Sequence, residues 1–382
     1  MRALLQFLAA SVLAGCASAP VSGDPEQLFA DKLFPPPAQP VSSDNLFVLN
    51  DEMLAFVAGR VGPQADHSGL QVGLFEALKN ELKIAYDATR TQVAADTFVA
   101  RSGNCLSLVI MTAAFAKYLN VPVYYRSVYG HDTWSRSSGI VFRSGHVNLQ
   151  LGSARDTDRF SRDACMPLLI DFLAPESAVR LYSRPESEQA IIAMYLNNRA
   201  AETLVEGDIA TAYWWAREAI RTSPAFLSGY NTLGVVYLRH GNLEQAEHSL
   251  RYVLEREPGN VNALTNLFSV LTQAGKAAEA AAVRAELAEL APYPPFYYLD
   301  QGVTALMKGD YEGALDLLNK ELRRMPYDDE THFAIAVADL RLGDMRHARQ
   351  HLTLAVENST TRDRRNLYTA KLNYLKQIEA GH

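Results

Sequence analysis

Glycines at 207, 241, 275, 309 and 343 recur at a fixed interval of 34 residues. Alanines 212, 246, 280, 314 and 348 each follow one of them by five positions, and prolines 224, 258, 292 and 326 keep the same period. Such a register marks one supersecondary unit copied in tandem, because a unit that cannot bury its apolar face alone buries it on its neighbour. Each residue type has a mechanical part. Glycine ends a first helix at a tight turn, alanine lets a second helix approach the first, and proline stops the second. The second half of the chain is therefore predicted to be an all-α solenoid.

The unit resembles the tetratricopeptide repeat. The stretch "SGYNTLGVVYLRHGNLEQAEHSLRYVLEREPGN" carries the likeness most fully, with Tyr230, Leu233, Gly234, Tyr237, Ala246 and Pro258 at the pattern positions. The first repeat departs from it, since Arg199, Ala200 and Thr203 stand where leucine, glycine and tyrosine are usual. Five repeats are expected over 193–361, with 362–382 as a capping helix. The resemblance implies binding of a protein or peptide partner, the other reading being a solenoid that only packs on the first domain. Tyr213, Trp214 and Trp215 are expected to pack against that domain.

The chain opens "MRALLQFLAASVLAGCASAP", one basic residue, an apolar run too short to cross a bilayer, then small residues ending in Cys16. Leu13-Ala14-Gly15-Cys16 resembles the lipobox of bacterial lipoproteins, which implies a signal peptide over 1–15 and membrane anchoring through lipid on Cys16. Ala17 in place of aspartate implies, by the same family's sorting rule, an outer-membrane address facing the periplasm. Residues 16–43, with Pro35 to Pro37, read as an extended tether. The balance of 36 basic against 43 acidic residues, net -7, provides no broad basic face, so nucleic acid is excluded as a partner.

Between tether and repeats, residues 44–185 read as helices followed by short β-branched and aromatic strands, an α+β domain with an antiparallel sheet. Within it "RSGNCLSLVIMTAAFAKYL" sets Cys105 after Gly103-Asn104 and at the start of an apolar helix. A helix start points free N–H groups at the sulfur and favours the thiolate, which is the nucleophile. Cys165 offers a rival role, a disulfide with Cys105 in an oxidising compartment. His146 and Asn148 share one side of the strand "GIVFRSGHVNLQL", and Asp171 is embedded in the apolar "PLLIDFL", where a charge needs a partner.

Gly-Asn-Cys before an apolar helix, Gly-His on a strand and an apolar-Asp-Phe strand, in that order, resemble the transglutaminase-like cysteine domains of the papain-like group. The resemblance implies that Cys105 attacks an amide carbonyl, His146 takes and returns the proton, Asp171 orients the imidazole, and the Cys105 backbone N–H stabilises the oxyanion. The acyl group would pass to an amine or to water, and no cofactor is implied. No phosphate-binding glycine loop, HExxH or G-x-S-x-G occurs in the chain. The alternative is a non-catalytic scaffold or adaptor that acts through its repeats.

Overall fold

The computed structural model describes residues 24–63, 69–82, 84–137, 140–152, 168–172 and 183–380. Cys16 and Cys165 lie outside them, and with them the lipid anchor and the disulfide.

A mixed α/β region precedes a long all-α solenoid. The first region opens with α1 (Asp51–Phe56), capped by Asn50, and α2 (Leu70–Ala77). The short strand β1 (Ala85–Tyr86) follows, then α3 (Ala94–Ala100) and β2 (Ser102–Gly103), which pairs in parallel with β1. Next comes α4 (Cys105–Tyr118), whose residues Leu106 to Ala116 are all buried. Such a helix is apolar all round because it is the centre of the core, not its lid.

Among the described residues four strands form an antiparallel sheet in the order β5-β4-β3-β6: β3 (Val123–Ser137), β4 (Ile140–Leu151), β5 (Leu168–Ile170) and β6 (Ser183–Glu186). Register puts His146 opposite Val128 and Leu149 opposite Ile170, so Asp171 follows the end of β5 beside Asn148.

The solenoid pairs α5 (Glu188–Val205) with α6 (Ile209–Thr222), α7 (Leu227–His240) with α8 (Leu243–Arg256), and α9 (Val261–Gln273) with α10 (Ala277–Leu290). Two further pairs follow, α11 (Tyr297–Lys308) with α12 (Tyr311–Arg324) and α13 (Asp329–Leu342) with α14 (Met345–Asn358). The five periodic glycines all adopt positive φ, from +72° to +90°, where a side chain would be strained. The periodic alanines are buried between paired helices. Helix α15 (Arg362–Ala380) closes the stack, with Tyr368 stacked on Phe333 and Leu372 and Leu375 against Ala336 and Leu352.

Two features differ from the sequence expectations. Helix α5 starts at Glu188, five residues earlier than the repeat boundary, because Ile191, Tyr195 and Leu196 belong to the core of the first region. Residues 24–35 are not a free extended spacer. They form two 3-10 turns, Pro25–Leu28 and Asp31–Leu33, docked on the first two repeats, and Phe34 is 3% exposed. Apolar residues Leu28, Phe29 and Phe34 outweigh the stiffness expected from the prolines that follow. Tyr213 and Trp214 accordingly pack against this segment, while Trp215 meets Tyr195 edge to face in the shared core.

Candidate functional site

The start of α4 is built by its preceding residues. Gly103 has no room for a side chain, since a Cβ there would lie 2.9 Å from Ser107 Cβ and 3.1 Å from Thr97 Cγ2. Asn104 caps the helix: its Oδ1 accepts from the Ser107 backbone N–H and from the Ser107 hydroxyl, both at 2.9 Å. The Asn104 amide nitrogen donates to Thr91 Oγ1 at 2.8 Å. Cys105 is then the first helical residue, half-buried and a free thiol.

The sheet delivers the other two groups. His146 is buried on β4, and its Nε2 meets Asp171 Oδ1 at 2.7 Å. The second carboxylate oxygen of Asp171 accepts from the Asn148 amide at 2.9 Å. With Nε2 committed to Asp171, the remaining ring nitrogen is the one left to serve Cys105, the other group whose proximity raises the imidazole. Burial works to lower the imidazole pKa, but hydrogen bonds to Asp171 and Cys105, and charge on both, outweigh it and set His146 at about 9. A protonated ring between a carboxylate and a sulfur is stocked with the proton that acyl transfer from an amide must deliver to the departing nitrogen. Cys105, His146 and Asp171 thus meet although they come from a helix start and two strands.

One neighbour was not apparent from the sequence. The phenol of Tyr86, at the end of β1, lies beside the backbone N–H of Cys105, the group expected to serve as oxyanion donor. Burial first, and then the charge of Cys105, push the Tyr86 phenol up from its ordinary range. The only sequence signal was its place in "IAYD", two short steps from the cysteine turn in the fold and nineteen in the chain.

The loop after Tyr86 carries the solenoid's contacts to the site. From the first repeat, Glu202 accepts the Thr91 backbone N–H at 2.6 Å and Asn198 donates to Thr91 Oγ1 at 3.1 Å. Burial raises the Glu202 pKa while Arg199, paired with it at 2.5 Å, lowers it. From the far end, Thr360 accepts the Ala88 backbone N–H at 2.6 Å, and Arg365 donates to the Tyr86 carbonyl at 3.4 Å. Both ends of the repeat array therefore grip the same loop, which braces the cap of α4. Among the described residues no group of three or more His, Cys, Asp or Glu is placed to hold a metal ion, and no helix is long and apolar enough to cross a membrane.

Comparison with known proteins bears on the repeats. The tetratricopeptide repeat family profile matches residues 231–295. Among solved structures, MamA from Desulfovibrio magneticus is 19% identical, covering 45% of this chain and 96% of its own, with a TM-score of 0.26. A tetratricopeptide repeat protein from Parabacteroides merdae is 18% identical over 49% of this chain and 75% of its own, TM-score 0.25. TTC0263, a thermophilic TPR protein of Thermus thermophilus, is 18% identical over 47% of this chain and 98% of its own, TM-score 0.29. A search of curated proteins returned no significant match. With its helix pairs, positive-φ glycines and family match, the second half of the chain is a tetratricopeptide-repeat-like solenoid.

Proposed function

We propose that this chain is a protein-binding module with a transglutaminase-like cysteine centre, which transfers or hydrolyses an acyl group at an amide of a protein held by the repeats. The observation that carries the reading is buried His146 joined to Asp171 at 2.7 Å, with half-buried Cys105 near the ring at the start of a helix. In this reading the Cys105 sulfur attacks the carbonyl carbon, and the protonated His146 gives its proton to the departing amine. A thioester remains, and an incoming amine or water, deprotonated by His146, releases the acyl group and frees the thiol. The Cys105 N–H, with the Tyr86 phenol beside it, serves the oxyanion. The lipobox-like Leu13 to Cys16 supports anchoring at the periplasmic face of the outer membrane.

A second reading is a scaffold in which the solenoid carries the function without turnover, and the repeat similarity supports it directly. The two part on one experiment with the chain lacking residues 1–16. A thiol-reactive probe is titrated across pH against wild type, His146→Ala and Cys105→Ala. Enzyme-type behaviour is labelling of the Cys105 peptide at neutral pH that falls at least tenfold in His146→Ala, with only Cys165 left to label in Cys105→Ala. Labelling of Cys105 that ignores the loss of His146 leaves the scaffold.

A further inference from the structure

Residues 24–35 are held on the first two repeats in the manner of a bound peptide. Three contacts read main chain: Tyr237 Oη donates to the Leu28 carbonyl at 2.8 Å, the Ala30 N–H donates to Tyr213 Oη at 2.9 Å, and Trp214 Nε1 donates to the Pro35 carbonyl at 2.7 Å. Two side chains are read specifically. Asp31 accepts from Tyr213 Oη at 2.6 Å and from Arg217 Nε at 2.9 Å. Phe34 lies flat on Tyr213, with ring centroids 4.1 Å apart and planes 7° from parallel, and is walled by Tyr237 and His240. At the rim, Arg221 pairs with Glu26 at 3.2 Å.

The segment joins no sheet and forms no long helix, and Leu33 and the carboxylate of Asp31 stay partly open to solvent. What holds it is a surface of side chains on α6 and α7 that addresses backbone groups any peptide has, plus one carboxylate and one aromatic ring three residues apart. From this we infer that the α6–α7 face is a peptide-binding site for a short segment that turns as residues 24–35 do and carries a carboxylate three residues before an aromatic, that residues 24–35 occupy it in cis, and that a partner protein's segment of the same chemistry displaces them. The segment is joined through residues 36–40 to Val41, which packs on the core of the first region, so it acts on the face intramolecularly, at an effective concentration on the order of millimolar or above. A partner segment must therefore bind the vacated site much more tightly than that to compete. Occupation of this face does not involve Cys105.

The test uses the full chain without residues 1–16 and a fluorescein-labelled peptide of residues 24–37. The double variant Asp31→Ala/Phe34→Ala weakens the cis segment and leaves the site intact, so it should bind the peptide saturably, at least tenfold more tightly than the unaltered chain. Adding Arg217→Ala should abolish that binding, and a peptide with alanine at the Asp31 and Phe34 positions should not bind. A folded double variant that fails to bind, or equal binding by both chains, overturns the inference. In the unaltered chain, millimolar unlabelled peptide should speed amide exchange in residues 27–35 while the α6–α7 helices stay protected. Unchanged exchange at that concentration also overturns it, as does a concentration-dependent dimer in which the segment is traded between copies, since the occupant is then a second copy of the chain.

Discussion

Glu202, on the first helix of the solenoid, accepts the backbone N–H of Thr91 at 2.6 Å, and Thr91 Oγ1 in turn accepts from Asn104, the residue that caps the helix of Cys105. Three hydrogen-bonded residues thus connect the repeats to the candidate nucleophile. Replacing Glu202 with alanine leaves the Thr91 N–H without its acceptor and Arg199 without its carboxylate, a loss of roughly 1–3 kcal/mol. Denaturant unfolding should register that loss, and the labelling rate of Cys105 should change with it. Glu202→Gln keeps an acceptor for Thr91 and should recover most of the labelling behaviour. Full stability in Glu202→Ala would mean that the connection does not hold the loop.

The charge state of His146 gives a prediction with a defined sign. Its folded value, about 9, lies above the ordinary 6.5, so its stabilising contribution is complete below about 6.5 and is lost as pH rises through 9. Histidine NMR should find a ring titrating near 9 in the wild type. Removing either source of the shift, with Asp171→Asn or Cys105→Ala, should move the midpoint down toward or below the ordinary value, because burial alone works in that direction. The wild type should also lose melting temperature between pH 7 and pH 9.5 more steeply than Asp171→Asn. An unmoved midpoint in both variants would separate His146 from its two neighbours.

The Tyr86 phenol lies beside the Cys105 N–H and competes with an oxyanion for that donor, and the two electrophile classes respond to that differently. An activated ester passes through an oxyanion that needs this donor, whereas iodoacetamide alkylates sulfur without one. Tyr86→Phe should therefore speed acylation by p-nitrophenyl acetate several-fold and leave the iodoacetamide rate within about twofold. A parallel change in both rates would point to altered access to the thiol instead.

These relationships divide according to how locally they are encoded. Gly207 to Gly343 advertise the solenoid because each repeat imposes the same turn, so the constraint is printed five times at one spacing. Gly103, Asn104 and Cys105 are legible for a similar reason: cap, tight approach and helix start are all decided within a few residues. His146 and Asn148 follow from strand alternation, and Asp171 from the cost of a carboxylate in an apolar strand. Tyr86, Glu202 and Arg365 have no such local signature, because their roles depend on how the array folds back on the loop at 86–91. The odd residues of the first repeat were the clue. Arg199 pairs with Glu202 where the pattern would have leucine, which marks the place where the repeat serves an interface rather than its own stack. Docking of residues 24–35 is not legible for the opposite reason, since a proline run encodes stiffness locally while Asp31 and Phe34 find their partners only on repeats about 180 residues away.

The repeat pattern makes a quantitative statement about glycine that distinguishes packing from turn geometry. At Gly234, inside α7, a Cβ would stand 2.8 Å from Leu250 Cγ, and at Gly302, inside α11, 2.7 Å from Leu318 Cγ. Both leucines are buried, so neither can swing into solvent, and the paired helices must separate instead. Gly234→Ala and Gly302→Ala should each cost about 1–3 kcal/mol through overpacking, more than offsetting the few tenths to 1 kcal/mol that alanine contributes by helix propensity. Gly259 is the control: it lies between helices with ordinary φ and nothing within 4 Å of a Cβ, so Gly259→Ala should change unfolding by less than about 0.5 kcal/mol. Because repeats couple chiefly to their neighbours, the loss in Gly302→Ala should appear in amide exchange of α11 to α14 and leave the candidate site's labelling rate unchanged until the array opens. If Gly302→Ala slowed Cys105 labelling in a chain still fully folded, the grip of Thr360 and Arg365 on the loop would be transmitting strain along the whole solenoid.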